Sequence, residues 1–320
     1  MKRVRNLSTE LSSFVQAQAG EKIVGAGDVY FLVKTASATS QFRKWLEANG
    51  VTESHYSDSL TDMQNAMTAY RNDTLIVLPG AHTLTTGFTW SKQYCNIIGT
   101  HVGAMNQRSR ISTTTAQAGT LFTLTGEGTH IKNIMFSQEG SHATGNAIAF
   151  YANCHRPVIE NCSFRNIGAS AVVDNSHRSL KIGTCYDITF RNCSIGETSY
   201  DAATATSYVI EFSGTNGGKY LFYDCMILGA GSANASFLYM PANIGGFTLF
   251  KDCLFHNSTI SSLDPMTQAF NISGTGNDGV FLKHCMVSGA TNLETSDSGV
   301  LYGINAQAAA TGELAVALTG

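Results

Sequence analysis

Charge is scarce in this chain of 320 residues: 13% of positions are charged, 20 Lys and Arg stand against 23 Asp and Glu, and the formal net charge is −3. So thin and balanced a charge argues against nucleic acid as the main partner. Proline is nearly absent, with 4 residues, so few breakers interrupt whatever strands form. Long apolar runs are missing too. No stretch approaches the roughly 20 residues that span a membrane, and the Ala-rich tail at 306–318 is short and carries Glu313. The basic opening Met1-Lys-Arg-Val-Arg5 leads into Asn6-Leu-Ser-Thr-Glu10, polar where an export signal needs an apolar run. The expectation is a chain made in a cytoplasm, with reduced cysteines.

What is present is a repeat. Ile159-Glu-Asn-Cys-Ser-Phe164, Phe190-Arg-Asn-Cys-Ser-Ile195, Phe222-Tyr-Asp-Cys-Met-Ile227, Phe250-Lys-Asp-Cys-Leu-Phe255 and Leu282-Lys-His-Cys-Met-Val287 align on a cysteine and recur every 28 to 32 residues. Ile131-Lys-Asn-Ile-Met-Phe136 is a sixth copy, with Ile134 in the cysteine slot. Such a period marks a solenoid. The slot before the cysteine holds Asn133, Asn161, Asn192, Asp224, Asp252 and His284, the residue types most enriched in the left-handed backbone region, so it predicts a tight corner. Period-two alternation on either side points Ile159, Cys162 and Phe164 inward.

A second strand per repeat reads from Phe122-Thr-Leu124, Ala147-Ile-Ala-Phe150, Ala171-Val-Val173, Tyr208-Val-Ile-Glu-Phe212, Phe237-Leu-Tyr-Met240, Ala269-Phe-Asn-Ile272 and Val300-Leu-Tyr302. These runs are too short, and too β-branched or aromatic, for helices. Short strands joined by Gly, Ser, Thr and Asn loops predict an all-β parallel β-helix with coils of about 30 residues. About seven or eight coils spaced at ~4.8 Å make a rod roughly 35 Å long.

Four regions follow. Residues 1–26 lack periodicity and read as an extended arm ordered only against a partner. Residues 27–73 read as a small α/β cap: a strand in Gly27-Asp-Val-Tyr-Phe-Leu-Val-Lys34, a helix over Ser40–Glu47 closed by Asn49-Gly50, and a helix over about 60–71 capped by Ser59, with Leu60, Met63, Met67 and Tyr70 on one face. Residues 74–305 are the solenoid, with Thr74-Leu-Ile-Val-Leu-Pro-Gly80 as its first strand, and 306–320 a tail that covers the last coil by folding back or by meeting identical tails.

The stretch Ala66-Met-Thr-Ala-Tyr70, Asp73-Thr-Leu-Ile-Val-Leu-Pro-Gly-Ala-His-Thr-Leu84, Trp90 and Asn96-Ile-Ile-Gly99 resembles the opening of the pectate-lyase-like right-handed parallel β-helix superfamily, in which a helix caps the first coil. The resemblance covers roughly 58–305 and implies the fold, not the function, because that superfamily includes lyases, glycoside hydrolases, phage tailspikes and non-enzymatic virion proteins. Gly27-Asp-Val-Tyr-Phe-Leu-Val, then Gly50-Val-Thr and the capping helix, is closest in arrangement to β-helical virion proteins of tailed phages.

Enzymes of this superfamily cluster carboxylates on successive coils. Here the outward column before the corner holds Lys132, Glu160, Arg191, Tyr223, Lys251 and Lys283, with one carboxylate, which reads as an ion-pair ladder. Glu211 faces outward on the second strand if Tyr208, Ile210 and Phe212 face in; its counterparts, read as Ala149, Tyr239 and Asn271, are not acidic. Asp174, Asp187 and Asp264 lie near turns, as do Gly126-Glu-Gly128 and Gly214-Thr-Asn-Gly-Gly218; His155 and His177 flank strand ends, and His284 sits in the corner slot. The eight cysteines show no CxxC or zinc spacing, and the shared slot of Cys162, Cys193, Cys225, Cys253 and Cys285 favours a buried thiol column over disulfides. No catalytic, cofactor-binding or metal residue is assigned. The expectation is a non-enzymatic structural protein of a phage virion, a capsid decoration, cement or spike protein. Its partners are identical subunits, as the homotrimer that the resemblance implies, and a major capsid or other virion protein held through the arm. The alternative is a tailspike that binds or depolymerises a glycan.

Overall fold

The computed structural model describes residues 8–19, 27–100, 109–113, 119–139, 147–166, 177–198, 207–214, 217–231, 233–258, 265–294, 301–305, 307–309 and 316–317. Its core is a right-handed parallel β-helix of about 7 coils of about 29 residues. Three sheets of 11, 10 and 8 strands wrap the core, parallel throughout except for the last strand of the second. The first sheet holds the strands that lead into the corner, the second those that leave it, and the third the later strand of each coil.

Every corner residue predicted to be left-handed is so, with φ from 49° at Asn192 to 60° at Asn133. Each corner N–H donates to a carbonyl of the next coil, as Asn161 does to Arg191 at 3.0 Å and Asn192 to Tyr223 at 2.9 Å. Side chains add a second ladder: Asn192 Nδ2 donates to Asn161 Oδ1 at 2.7 Å, and Asn161 Nδ2 to Asn133 Oδ1 at 3.2 Å. Behind the corner Cys162, Cys193, Cys225, Cys253 and Cys285 are buried, and each thiol donates to the carbonyl two residues back at 3.2–3.4 Å. All eight cysteines are free and buried, and burial pushes the Cys162 thiol up to about 12. Thiol titration therefore finds eight reactive groups in denaturant without reductant and few in the native protein; two or more disulfides would remove the column from the core account.

Coil-to-coil register stacks like on like. Phe190, Phe222 and Phe250 are successive partners in the first sheet, with ring centroids 4.8 and 4.5 Å apart. Phe136 and Phe164 stack in the second, and Phe122 and Phe150 in the third. These side chains are fully buried in one continuous core, and burying each contributes about 1.5–3 kcal/mol.

The amino-terminal elements differ from expectation in three ways. First, the segment read as an extended arm contains a helix, α1 (Thr9–Ala19), whose Leu11 and Val15 are buried with Ile76 and Ile98 of the first sheet. Helix α2 (Gln41–Ala48), capped by Ser40, joins that cluster through Leu46 and ends as predicted at Gly50, φ 80°. Second, Val29–Leu32 pairs in parallel with Thr74–Val77, and Tyr56–Ser57 with Val29–Leu32, so the first sheet starts two strands before Thr74. Third, helix α3 is shorter than 60–71. It runs Leu60–Ala66, with Ser59 Oγ accepting from Asp62 N at 3.2 Å, and it ends because the buried Asp73 carboxylate takes the Thr68 N–H at 2.7 Å. Leu60, Met63 and Met67 still close the core, but Tyr70 turns out with φ 64° and is 70% exposed.

Two strand assignments also move. In the coil where Ala171–Val173 was expected, a run outside the described residues, the third-sheet strand is Arg178–Ile182. Leu301–Ile304 belongs to the first sheet, and Ala290–Glu294 ends the third. The tail folds back: Gln307–Ala309 extends the second sheet and Val316–Ala317 pairs with it antiparallel.

Candidate functional site

On the outer face of the third sheet Thr123, Tyr151, Lys181, Glu211, Tyr239 and Asn271 are register partners on successive coils. The counterpart of Glu211 is thus Tyr151, and Ala149 is buried. The cause is a bend shared by these coils: pairing skips Leu121, Ala149, Ser179 and Val209, and the bend turns residues such as Leu121 and Phe122 inward together. The same bend turns Tyr208 outward, against the inward orientation that simple alternation predicts. Its ring stacks on Tyr239 at 4.4 Å, and the Arg178 guanidinium lies 4.4 Å from its centroid.

Glu211 is held by Arg178 through Nε and by Lys181 Nζ at 2.9 Å. Burial pushes its carboxyl up, but these two cations outweigh that and hold it below the usual range. On the first sheet, Glu160 meets His130 at 3.1 Å and Lys132 at 3.8 Å, whereas Arg191 lies over the Tyr223 ring, so the ladder expected there runs to one side of Glu160 only. The column does run in register as read, from Lys132 to Lys283.

His284 occupies its corner with Nδ1 3.3 Å from Asp252, and Asp187 sits in a left-handed turn, φ 56°. Asp174 and Asp264 lie outside the described residues. At Gly126-Glu-Gly128 the Thr129 hydroxyl closes the turn on the Gly126 carbonyl at 2.8 Å. Among the described residues no group of three or more His, Cys, Asp and Glu is placed to hold a metal ion.

Beside the aromatic stripe, where the second sheet hands over to the third, lies a small cleft open to solvent. Asn166, His177, Glu197, Tyr208, Leu228 and Met266 are among its walls. Glu197 was missed in the sequence. Its side chain is 6% exposed, its nearest cation is Arg165 Nε at 4.0 Å, and neither carboxyl oxygen receives a hydrogen bond. Burial pushes it up to about 7, against the opposing pull of Arg165. A buried carboxyl that exchanges its proton near neutral pH can donate a hydrogen bond or a proton.

No family profile matches the sequence, and no curated protein does. Solved structures align with much of the chain. A pectin methylesterase from Aspergillus niger, in deglycosylated form, is 13% identical with a TM-score of 0.48, over 84% of this chain and 90% of that one. Pectate lyase Pel9A is 12% identical at 0.49, over 88% and 77%. ORF18 of Geobacillus virus E2 is 12% identical at 0.38, over 79% and 58%.

Proposed function

We propose that this chain is a structural β-helical protein of a tailed-phage particle, a decoration, cement or spike protein without enzymatic activity. The observation that carries the reading is how the outward carboxylates of the two sheets are used. Glu160 is engaged by His130 and Lys132 and Glu211 by Arg178 and Lys181, all from the preceding coil, so both carboxylates tie coils together rather than facing a substrate unpartnered. A rod so tied, with every interior strand paired on both sides, resists proteolysis and shear. The amino-terminal segment is the attachment to a capsid or other virion protein, and three copies associate with parallel axes under closed symmetry.

A second reading is favoured by the Tyr151, Tyr208 and Tyr239 stripe beside the Glu197 cleft, a surface on which sugar rings can stack. It is a tailspike that binds or depolymerises a polysaccharide. Purified particles separate the two. Quantitative mass spectrometry finds an icosahedral copy number, and the isolated protein releases no reducing ends from host envelope polysaccharide; a few copies on the tail with activity would reverse the ranking.

A further inference from the structure

Cys95, Cys154 and Cys185 stand outside the thiol column, and the last two sit in turns of adjacent coils, where the third sheet hands over to the first. The two turns are locked together. Arg156 N donates to the Tyr186 carbonyl at 2.7 Å, Tyr186 N to His155 Nδ1 at 3.2 Å, and the His155 and Tyr186 rings lie 4.6 Å apart. Cys154 thereby meets Cys185. Adjacent coils stand ~4.8 Å apart, within the roughly 4.4–6.8 Å between Cα atoms that a disulfide spans. The corresponding turns of the flanking coils, 125–129 and 213–219, contain no cysteine, so these two sulfurs have only each other.

Their contact is direct. The Cys154 N–H donates to Cys185 Sγ at 3.3 Å and the Cys154 S–H donates to the same sulfur, which as a thiol donates in turn to the Ala152 carbonyl at 3.3 Å. Two donors on one sulfur favour its thiolate. The Cys154 S–H and N–H draw the Cys185 thiol down against burial, whereas Cys225, Cys253 and Cys285 in the column are pushed up, each chiefly by donating to the thiol of the preceding coil. Cys154 is also the most exposed of the eight, at 5% against 0–3% for the rest, so the pair includes the thiol nearest to solvent. We infer that Cys154 and Cys185 are a redox pair that a peroxide closes into one disulfide, fastening two adjacent coils to each other at this turn.

The chemistry balances on the two thiols and the peroxide. The Cys185 thiolate attacks one peroxide oxygen: an S–O bond forms, the O–O bond breaks, and the oxygen that leaves takes up a proton as water. The Cys154 sulfur then attacks the Cys185 sulfur. The S–S bond forms, the S–O bond breaks, and the departing hydroxide takes the Cys154 proton as a second water. The sulfurs lose two electrons in all, and the peroxide receives them. The link closes a ring around one whole coil and so restricts the unfolded chain. All eight thiols are free in the resting protein, and the inference does not depend on which function is right.

The test exposes the full-length protein, freed of reductant, to a small excess of hydrogen peroxide, stops the reaction with catalase, then unfolds and alkylates the chain and maps its thiols by mass spectrometry. The expected result is that two of the eight thiols disappear, the mass falls by two hydrogens, a single peptide pair joins Cys154 to Cys185, and dithiothreitol restores both thiols. In Cys154→Ala the second step is lost, so Cys185 stops at the sulfenic acid and takes up dimedone. Retention of all eight thiols would overturn the proposal. So would a link that includes a column cysteine, a link between two chains, or a wild-type Cys185 that proceeds to the sulfinic acid without joining Cys154. Should Cys154→Ala fail to fold, the wild-type map decides alone.

Discussion

Replacing Asn161 with Val destabilises the rod by about 3–5 kcal/mol, whereas Asn161→Gly costs about 1–2 kcal/mol. Asn161 has φ 52°, where an L side chain pays about 1–2 kcal/mol and a β-branched one pays more. Its amide both donates to Asn133 and accepts from Asn192, so either substitution breaks two ladder bonds, each of about 0.5–1.5 kcal/mol. Glycine loses the ladder but keeps the corner; valine loses both. Urea titration followed by circular dichroism measures the difference, and equal losses for the two variants would show that backbone conformation is not what selects the residue.

Asp73→Asn lowers stability by about 3–5 kcal/mol, because it breaks a buried charge network without creating a cavity. Asp73 is fully buried. Its oxygens accept from Thr68 N at 2.7 Å, Asp28 N at 2.9 Å and Arg71 Nε at 2.7 Å, and Arg71 also reaches Asp28 at 2.9 Å. Asparagine presents an NH2 to donors. Burial pushes the Asp73 carboxyl up, but Arg71 and the two backbone N–H groups outweigh it and hold it below the ordinary 3.8. A depressed carboxyl contributes stability that is complete above 3.8 and lost as pH falls through its folded value, so the wild type loses more stability on acidification than the variant does. Acid titration of both proteins checks this, and coincident limbs would remove Asp73 from the account of acid sensitivity.

The corner and the core were legible because both rest on local rules repeated many times. A positive-φ slot admits few residue types, and Ile159, Cys162 and Phe164 follow from alternation on either side of it. The outer face of the third sheet was only half legible. Alternation assigns Tyr208 inward and makes Ala149 the counterpart of Glu211, but the bend in these coils shifts the outward positions to Tyr208 and Tyr151, and nothing in a single strand of five residues announces that bend. Tyr70 failed for another reason: the apolar spacing of α3 continues past Met67, while Asp73, distant in the pattern, takes the Thr68 N–H and ends the helix. Glu197 was within reach of the sequence. Aligned on the cysteine slot it falls among Gln138, Asn166 and Asn257, and a carboxylate among amides is visible there; counting carboxylates on one outward column passes over it because it lies on another sheet and is buried.

The corner ladder also makes length a quantised property. Asn161 and Asn192 hold the same backbone geometry 31 residues apart, so the chain at one is interchangeable with the chain at the other. Joining Asn161 directly to Cys193 would remove one whole turn and shorten the rod by one strand spacing, about 4.8 Å, while every remaining strand would still find a partner in register. Loops absorb the spread of 28 to 32 residues between corners, but a partial turn within the strands would leave a corner residue on a straight segment. Variants of this rod can therefore grow or shrink only in whole turns, as a stack of washers does, and a length matched to whatever it stands on can be reached by duplication or excision without redesigning either end.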